Sequence, residues 1–318
     1  MKICILDAKT LGDDIDLSVF NSIGETIIYD ITPPEKVNER VKDVNVVITN
    51  KVILNKDNLS GADDLKLICV TATGTNNIDL NYTREKGIGV ANVAGYSTNS
   101  VVQHTFATLF YILEKLSYLD NYVKTGEYID SKVFTHLSKT FWEISGKRWG
   151  IIGLGEIGSG VAKAAEAFGC EVVYYSTSGK NNNDNYKRVE LDELMKTSDI
   201  ISVHAPLNEK TKDLVNYEKL TLMKEHAIIL NMGRGGIINE NDLCKVLDEN
   251  KIGGAGLDVL TKEPMAKDCP FINVVNKDKF FVTPHIAWAS IEARNRLIYE
   301  VLENINSYFK GEKRNIVN

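Results

Sequence analysis

The feature that most constrains the fold is a glycine-rich turn between an apolar strand and a helix near the middle of the chain. Gly153, Gly155 and Gly158 stand in the order G-x-G-x-x-G after the strand-like run RWGII, and a helical stretch and the strand-like run EVVYYS follow them. This order is typical of a βαβ unit that binds a dinucleotide. The glycines allow a tight turn, close backbone approach to a pyrophosphate and close helix packing, and the helix N-terminus supplies free N–H groups.

Strand-like and helix-like stretches alternate along the whole chain. The strand-like runs are apolar on both faces, as parallel strands buried between helix layers must be. One series lies in the first hundred residues (KICILD, ETIIYD, VNVVIT, LKLICVTA, GIGVANV), and a second begins at residue 148 (RWGII, EVVYYS, DIISVHAP, HAIILNMG, AGLDVL, KFFVTPH). The alternation predicts an α/β protein built around parallel sheets.

Two longer helical stretches interrupt this alternation and indicate a discontinuous domain. Residues 99–119 are apolar nearly all round, and a stretch near the end of the chain carries apolar side chains at helical spacing. We therefore expect one domain at 1–99 with 286–318, a second domain at 100–285, and a cleft between them. The length of 318 residues is ordinary for two domains. A single boundary near residue 145 is the alternative.

Composition and charge exclude several classes of partner. The chain has 37 Lys and Arg against 43 Asp and Glu, a net charge of −6, so no basic excess is available for a nucleic-acid backbone or an anionic membrane. No run approaches the roughly 18 apolar residues of a membrane-spanning helix. The five cysteines are scattered and form no C-x-x-C pair, which argues against a disulfide framework or a zinc site. We expect a cytoplasmic protein without a metal.

The strand after the glycine turn bears on the type of dinucleotide. In NAD-binding units this strand ends in an acid that holds the ribose 2′-hydroxyl. Ser176 takes the place of that acid here, and Thr-Ser-Gly-Lys follows it, so no carboxylate stands there to repel a 2′-phosphate. Arginine, the usual phosphate ligand, is also absent from this run. The sequence favours NADP(H) and leaves NAD(H) as the alternative.

Three polar side chains follow strand-like runs in the second half of the chain. Arg234 lies between glycines directly after AIILNM, Glu263 follows AGLDVL, and His285 follows KFFVTP. Open α/β folds bind ligands at the carboxyl ends of their parallel strands, so we expect the three side chains to meet at one sheet edge. The planar guanidinium of Arg234 suits a carboxylate. The sequence therefore predicts a site for a small anionic ligand at this edge.

These motifs stand among others that together resemble the D-isomer-specific 2-hydroxyacid dehydrogenase family. The resemblance covers essentially the whole chain, with TATGTNNIDL and GIGVANVAGYSTNSV at 71–101, GLGEIG, HAPLNEKTKDLVN at 204–216, NMGRGGIINE at 231–240, GLDVLTKEP at 256–264 and TPHIAWAS at 283–290. GYSTNSVVQHT and HIAWAS are similar to the branch of glycerate dehydrogenases, or hydroxypyruvate and glyoxylate reductases. The resemblance implies two Rossmann-like domains with parallel sheets, and cofactor and substrate in the cleft between them.

The resemblance also implies a reaction. A hydride would pass between NAD(P)H and the C2 carbonyl of a small 2-oxo acid, such as hydroxypyruvate or glyoxylate, to give a D-2-hydroxy acid. Arg234 would hold the substrate carboxylate and polarise the carbonyl. His285 would donate the proton to the carbonyl oxygen, and Glu263 would fix the tautomer of that imidazole and keep it protonated.

Further contacts carry over from the family residue by residue. The backbone of Thr73 and Gly74 would cap the substrate carboxylate, and Trp288 would border the substrate. Cofactor contacts are implied for the glycine turn, for residues after the later strands and for one helical threonine. They are Thr105, Gly153, Gly155, Glu156, Ile157, Gly158, Ser176, Ala205, Pro206, Met232, Gly233, Arg234, Asp258 and His285.

The family usually dimerises through the cofactor domain, so we expect a homodimer. Relatives of this fold act as NAD(H)-sensing corepressors of transcription, so the fold alone does not establish catalysis; the chain shows no appended disordered tail or peptide-recognition segment. A dehydrogenase of formate or phosphite is a third reading, and those relatives carry additional sequence that is absent here.

Overall fold

The computed structural model describes all residues from Met1 to Asn318 and divides into two compact units. Unit 1 comprises Met1–Ser97 and Ala289–Asn318, and unit 2 comprises Thr98–Trp288. The strands are β1 (Lys2–Ile5), β2 (Glu25–Ile28), β3 (Val46–Thr49), β4 (Leu67–Val70), β5 (Gly89–Ala91), β6 (Arg148–Ile152), β7 (Glu171–Tyr175), β8 (Lys187–Arg188), β9 (Ile200–Val203), β10 (Ile228–Asn231), β11 (Gly254–Leu257) and β12 (Phe280–Val282). The helices are α1 (Val37–Val41), α2 (Lys56–Leu59), α3 (Leu80–Glu85), α4 (Thr98–Leu113), α5 (Leu116–Lys124), α6 (Glu156–Ala167), α7 (Leu191–Thr197), α8 (Tyr217–Leu220), α9 (Glu240–Asp248) and α10 (Ile291–Phe309).

Unit 1 is a five-stranded parallel sheet in the order β2-β1-β3-β4-β5. Every residue of β3 and β4 is buried, which explains why these strands read as continuous apolar runs rather than as alternating ones. The last helix, α10, packs on β4 with Ile298, Val301 and Ile305 buried. Its first and last apolar residues, Ile291 and Phe309, are exposed. The end of the chain thus completes the core of the unit in which the chain began.

Unit 2 is a seven-stranded parallel sheet in the order β12-β11-β10-β9-β6-β7-β8. The predicted α/β fold with parallel sheets is confirmed. The two-residue edge strand β8 was not predicted, because both of its residues are charged and exposed. Strand β6 lies between β9 and β7, so the chain reverses its direction across the sheet there. Such a reversal is where open α/β sheets leave a crevice for a ligand.

The predicted helix at 99–119 was wrong in its extent. The structure has two helices there, α4 and α5, with Lys115 between them in the left-handed conformation at a φ of 56°. Seven side chains of α4 are buried, whereas none of α5 is. The left-handed residue redirects the chain, so only the first of the two helices is buried in the core of unit 2.

The glycine turn between β6 and α6 depends on close packing of helix against strand. Gly153 has a φ of 93° and donates its N–H to the Tyr175 carbonyl at 3.0 Å. A Cβ at Gly158 would overlap the Gly153 carbonyl oxygen and would lie 3.2 Å from the Ile151 side chain. The absence of side chains at these two positions therefore lets α6 begin directly behind the end of β6.

We expect Gly158→Ala to lower the thermal stability of unit 2. The new methyl group would overlap backbone, and overpacking of this kind costs about 1–3 kcal/mol, which exceeds the gain of about 1 kcal/mol in helix propensity. Thermal denaturation followed by circular dichroism measures the effect. Ser159→Ala, the same side chain one position later in α6, is the matched control and should not lower the melting temperature. Equal melting temperatures for Gly158→Ala and the wild type would contradict the close packing.

Candidate active site

A pocket of about 700 Å³ lies over the glycine turn of unit 2. Gly153, Leu154 and Gly155 line it, together with residues that follow β7 and β9. Gly155 is the N-cap of α6, and a Cβ there would meet no atom within 4 Å. The backbone at this point is therefore open to a bulky group. The first N–H groups of the twelve-residue helix α6 have no partners within the helix and suit an anion such as a pyrophosphate.

The segment after β7 folds back onto the glycine turn. Ser176 is buried, and its Oγ accepts a hydrogen bond from the Asn181 backbone N–H at 3.3 Å. The Asn181 side-chain amide donates to the Leu154 carbonyl. Lys180 lines the pocket beside them. The place where a dinucleotide's adenosine ribose binds is thus bordered by hydroxyls and a lysine, and residues 176–181 include no carboxylate.

His204 follows β9 and lines the same pocket. Both of its ring nitrogens are buried and have no hydrogen-bond partner. Burial lowers the pKa of this imidazole to about 3, so the ring is neutral at neutral pH and offers one donor and one acceptor. Buried polar atoms without a partner are rare and costly. His204 is therefore a candidate to bind a cofactor atom. The sequence places His204 directly after the strand-like run DIISV, a position from which it can line a cofactor cleft, and the structure has it in the lining of the pocket.

The three catalytic candidates lie after three neighbouring strands. Strands β10, β11 and β12 are adjacent and parallel in the sheet of unit 2. Arg234 follows β10, Glu263 lies in the segment after β11, and His285 follows β12. Parallel strands direct their carboxyl ends to one edge, so the sheet brings the three segments together there. The convergence of the three side chains on one ligand stays a prediction.

His285 and Glu263 form a hydrogen-bonded pair. Nδ1 of the imidazole lies 2.7 Å from Oε2 of the carboxylate. The other carboxylate oxygen, Oε1, accepts the Leu260 backbone N–H at 2.9 Å. Because Nδ1 must carry the proton that is donated to the carboxylate, the opposite nitrogen, Nε2, is the one that can exchange a proton with a substrate. About a quarter of the His285 side chain is exposed, so the ring remains accessible.

The backbone of His285 has the left-handed conformation, with a φ of 55°. This is uncommon for a residue other than glycine and must be imposed by its surroundings. The His285 N–H donates to the Asp258 carbonyl at 2.9 Å. The Asp258 carboxylate accepts the backbone N–H groups of Ile286 at 2.8 Å and of Ala287 at 2.9 Å. Asp258, itself only 2% exposed, therefore holds the turn that carries the imidazole.

Arg234 is held by a turn that Asn231 closes. The Asn231 side chain accepts the Gly233 N–H at 3.0 Å and donates to the Arg234 carbonyl at 2.9 Å. Arg234 Nη1 donates to the Gly233 carbonyl at 2.8 Å. A Cβ at Gly235 would overlap the Leu260 backbone, so this turn packs directly on the segment that leads to Glu263. Asn231 was missed by the sequence analysis because it is the last residue of an apolar strand.

Several predicted cofactor residues line the pocket over the glycine turn. They are Gly153, Gly155, Ser176, Ala205 and Pro206. Others open α6 or lie just beyond the ends of β10, β11 and β12. These are Glu156, Ile157, Gly158, Met232, Gly233, Arg234, Asp258 and His285. Their contacts with a cofactor stay predictions.

The remaining predicted residues lie in different surroundings. Thr73 and Gly74 belong to unit 1 and follow β4. The Trp288 indole N–H donates to the His285 carbonyl at 2.9 Å, which places this ring next to the turn that carries the imidazole. Thr105 is fully buried in α4 and donates its hydroxyl to a carbonyl of the preceding helical turn. The predicted contacts of these four residues with ligands also stay predictions.

Two further kinds of functional element are not found. None of the helices combines the length and the apolar character needed to span a membrane. No three His, Cys, Asp or Glu side chains are grouped in a way that would hold a metal ion.

Residues 106–287 match the family model described as the NAD binding domain of D-isomer specific 2-hydroxyacid dehydrogenases. The hydroxypyruvate reductase of Blautia hydrogenotrophica is 38% identical over 325 residues, which cover 100% of both chains. The glycerate dehydrogenase of Methylorubrum extorquens is 34% identical over 317 residues, which cover 99% of this chain and 98% of the relative. A solved acyclic imino acid reductase, in complex with NADPH and D-Arg, has a TM-score of 0.88 and 33% identity, with 100% of both chains covered.

The chain belongs to the D-isomer-specific 2-hydroxyacid dehydrogenase family. It is an oxidoreductase that acts on CH–OH donors and transfers a hydride between NAD(P)H and a 2-oxo acid. The predicted family, its glycerate and hydroxypyruvate branch and the predicted reaction class are confirmed. None of these relatives supports the corepressor alternative.

We expect His285→Ala to lower kcat by about 10²–10⁴-fold, because loss of a positioned general acid has effects of this size. Binding of the dinucleotide should persist, since the pocket over the glycine turn does not include His285. Steady-state kinetics with a 2-oxo acid and quenching of NAD(P)H fluorescence measure the two quantities separately. His226→Ala, which removes a histidine that contacts Asp199 at 2.8 Å before β10, is the control. Near-normal turnover of His285→Ala would remove His285 from the proton-transfer step.

Proposed function

We propose that this protein reduces hydroxypyruvate and glyoxylate at C2, giving D-glycerate and glycolate, with NADPH preferred over NADH. The observation that carries the proposal is the arrangement of Arg234 and the His285–Glu263 pair after three neighbouring strands of unit 2. One relative is named for hydroxypyruvate and another for glycerate, which are the oxidised and the reduced compound of one such reaction. Glyoxylate presents the same 2-oxo carboxylate and lacks only the hydroxymethyl group.

Each of the three side chains has a defined role in this proposal. The guanidinium of Arg234 binds the substrate carboxylate, and its charge polarises the neighbouring carbonyl. When bound, NADPH supplies the hydride that forms the new C2–H bond. His285 donates its Nε2 proton to the carbonyl oxygen, which becomes the hydroxyl group, and Glu263 stabilises the imidazolium before the transfer. In the reverse direction neutral His285 accepts the hydroxyl proton.

A panel of 2-oxo acids tests the substrate proposal. We expect the highest kcat/KM with hydroxypyruvate and glyoxylate, and a value at least about tenfold lower with 2-oxoisocaproate, since each methylene that fits poorly costs about 1–3 kcal/mol. NADPH consumption gives the rate, and chiral chromatography of the glycerate gives the stereochemistry. Preference for the branched substrate, or formation of L-glycerate, would overturn the proposal.

Reduction of 2-imino acids is a second candidate, favoured by the 33% identity with the acyclic imino acid reductase. A protonated imine already carries the positive charge that a carbonyl gains from an acid, so its reduction does not need a proton from His285. The assay distinguishes the two reactions when pyruvate is supplied with and without methylamine. A rate that rises by about tenfold or more with the amine, and that survives in His285→Ala, would favour the imine.

The preference for NADPH is supported by the charges around the pocket of unit 2. Lys180 follows β7 and Lys210 follows β9, and both line the pocket. Since β6 lies between β7 and β9, the two lysines stand on either side of the glycine turn. A phosphate monoester carries about −1.5 to −2 charges at neutral pH and is attracted by both. Glu209 lines the same pocket, and its negative charge offsets one of the two lysines. The side chains that line the pocket therefore carry a net charge of +1.

We expect Lys210→Gln to raise the KM for NADPH about tenfold and to leave the KM for NADH nearly unchanged. Loss of one charge-assisted contact with the 2′-phosphate, about 1.4 kcal/mol, corresponds to this factor. Steady-state kinetics with both cofactors measures it. Lys212→Gln is the matched control, because Lys212 is exposed on the same segment and does not line the pocket. An equal rise in both KM values would show that Lys210 does not recognise the 2′-phosphate.

We also propose that the protein is a homodimer joined through residues 126–142, between α5 and β6. This segment exposes large apolar side chains, with Ile129 85% exposed, Phe134 91% and Leu137 77%. A patch of this kind marks an interaction surface. A second copy of the chain is the proposed occupant, because a two-fold axis pairs one patch with itself and buries both. Light scattering tests this proposal, and a mass of 35.4 kDa rather than twice that value would contradict it.

We place the protein in the cytoplasm. All five cysteines are free, and burial raises the pKa of the Cys4 and Cys244 thiols to about 12, so these groups stay protonated. Free thiols without a disulfide framework are usual in a reducing compartment. Fractionation of the source cells tests this assignment, and recovery outside the cytoplasmic fraction would contradict it.

A further inference from the structure

Helix α4 packs closely against the segment of unit 2 that carries His285. A Cβ at Gly256, in β11, would overlap the Thr108 methyl group of α4, so the missing side chain lets the helix approach the sheet. Near the start of the same helix, Ser100 Oγ donates to the Ala287 carbonyl at 2.6 Å. The helix is thus tied to the turn two residues after His285.

A second connection runs from α4 through side chains. His104 Nε2 lies 3.0 Å from Thr283 Oγ1, and Thr283 Oγ1 lies 2.6 Å from Asp258 Oδ1. An ionised carboxylate has no proton to give, so the Thr283 hydroxyl donates to it. Because that hydroxyl has a single proton, it must accept from His104, which therefore carries a proton on Nε2. The hydrogen bonds run in one direction, from His104 through Thr283 to Asp258.

The carboxylate at the end of this chain is the group that holds the His285 turn. Its Oδ1 receives both the Thr283 hydroxyl and the Ile286 N–H, and its Oδ2 receives the Ala287 N–H. His104 is the only His, Lys or Arg side chain within 4.0 Å of this carboxylate, and its Nε2 lies 3.7 Å from Asp258 Oδ1. In a buried site of low dielectric constant, hydrogen bonds in series strengthen one another. Here they fix the orientation of the Asp258 carboxylate.

We propose that His104 and Thr283 are positioning residues for His285. Through Asp258 they keep the backbone of residues 285–287 in the conformation that directs Nε2 of His285 at a substrate. Neither residue touches the reacting atoms, and both act through the carboxylate. Only the kinetic part of the test rests on the proposed reduction of 2-oxo acids.

Thr283→Val removes the hydroxyl group and keeps the shape of the side chain. We expect kcat to fall about tenfold, because the carboxylate loses the donor that orients it, while the Kd for NADPH changes less than about threefold. Thr283→Ser restores the hydroxyl group and should recover most of the lost kcat. Wild-type kcat in Thr283→Val, or an equal loss in Thr283→Ser, would overturn the proposal.

The histidine is tested by two variants of similar size. His104→Gln offers an amide N–H to Thr283, whereas His104→Leu offers none, so we expect the leucine variant to lose several-fold more kcat than the glutamine variant. Melting temperatures identify any general loss of structure. A loss of kcat that follows the melting temperature, and does not follow the presence of a donor, would contradict a positioning role.

A spectroscopic measurement tests the connection without turnover. In ¹⁵N-histidine NMR of the wild-type protein we expect His104 to be protonated at Nε2, and we expect Thr283→Val to shift the ring nitrogens of both His104 and His285. Unchanged His285 signals in Thr283→Val would overturn the proposal, whether or not the protein reduces a 2-oxo acid. Shifted signals in a protein that reduces no 2-oxo acid would leave the connection standing and refute the proposed function.

Discussion

The 2.7 Å hydrogen bond between His285 Nδ1 and Glu263 Oε2 sets what this site can do. An imidazole delivers a proton in a defined direction only when its other nitrogen is held. Glu263 is held in turn by the Leu260 N–H. The two partners lie beyond the ends of β11 and β12, where Leu257 pairs with Val282. The sheet therefore brings the two segments to one edge, and hydrogen bonds of the loop backbone hold the two side chains there.

Asp258 shows how stability and function are connected in this unit. A buried carboxylate is strongly unfavourable unless hydrogen bonds and opposite charge compensate it. Here the Thr283 hydroxyl and two backbone N–H groups supply the hydrogen bonds, and His104 stands at 3.7 Å. A neutral side chain would avoid the cost of burial, but it would bind the backbone of the His285 turn less strongly. The negative charge of Asp258 thus lies at the turn in which His285 has to be held in the left-handed conformation.

The sequence predicted the groups that follow strand ends, Asp258 and Glu263 among them, and it did not predict Asn231 or the connection of His104 to the His285 turn. The three catalytic candidates each come after an apolar run, and parallel strands necessarily bring such positions to one edge. Asn231 and His104 carry no comparable signal, because one ends an apolar strand and the other lies in an apolar helix. Their partners are defined by rotamers and by the packing of α4. The left-handed Lys115 was missed for a related reason, since lysine itself favours a continuing helix.

Attraction of an anionic cofactor and an anionic substrate has to come from a few local groups, because the chain as a whole carries a charge of −6. At physiological ionic strength the distant acids are screened beyond about 8 Å. Lys180 and Lys210 supply positive charge around the glycine turn, and Arg234 supplies it after β10. His204, whose pKa burial lowers to about 3, adds none. At the positions proposed for a phosphate and a carboxylate, the positive charge therefore comes from these three side chains and not from the overall field of the protein.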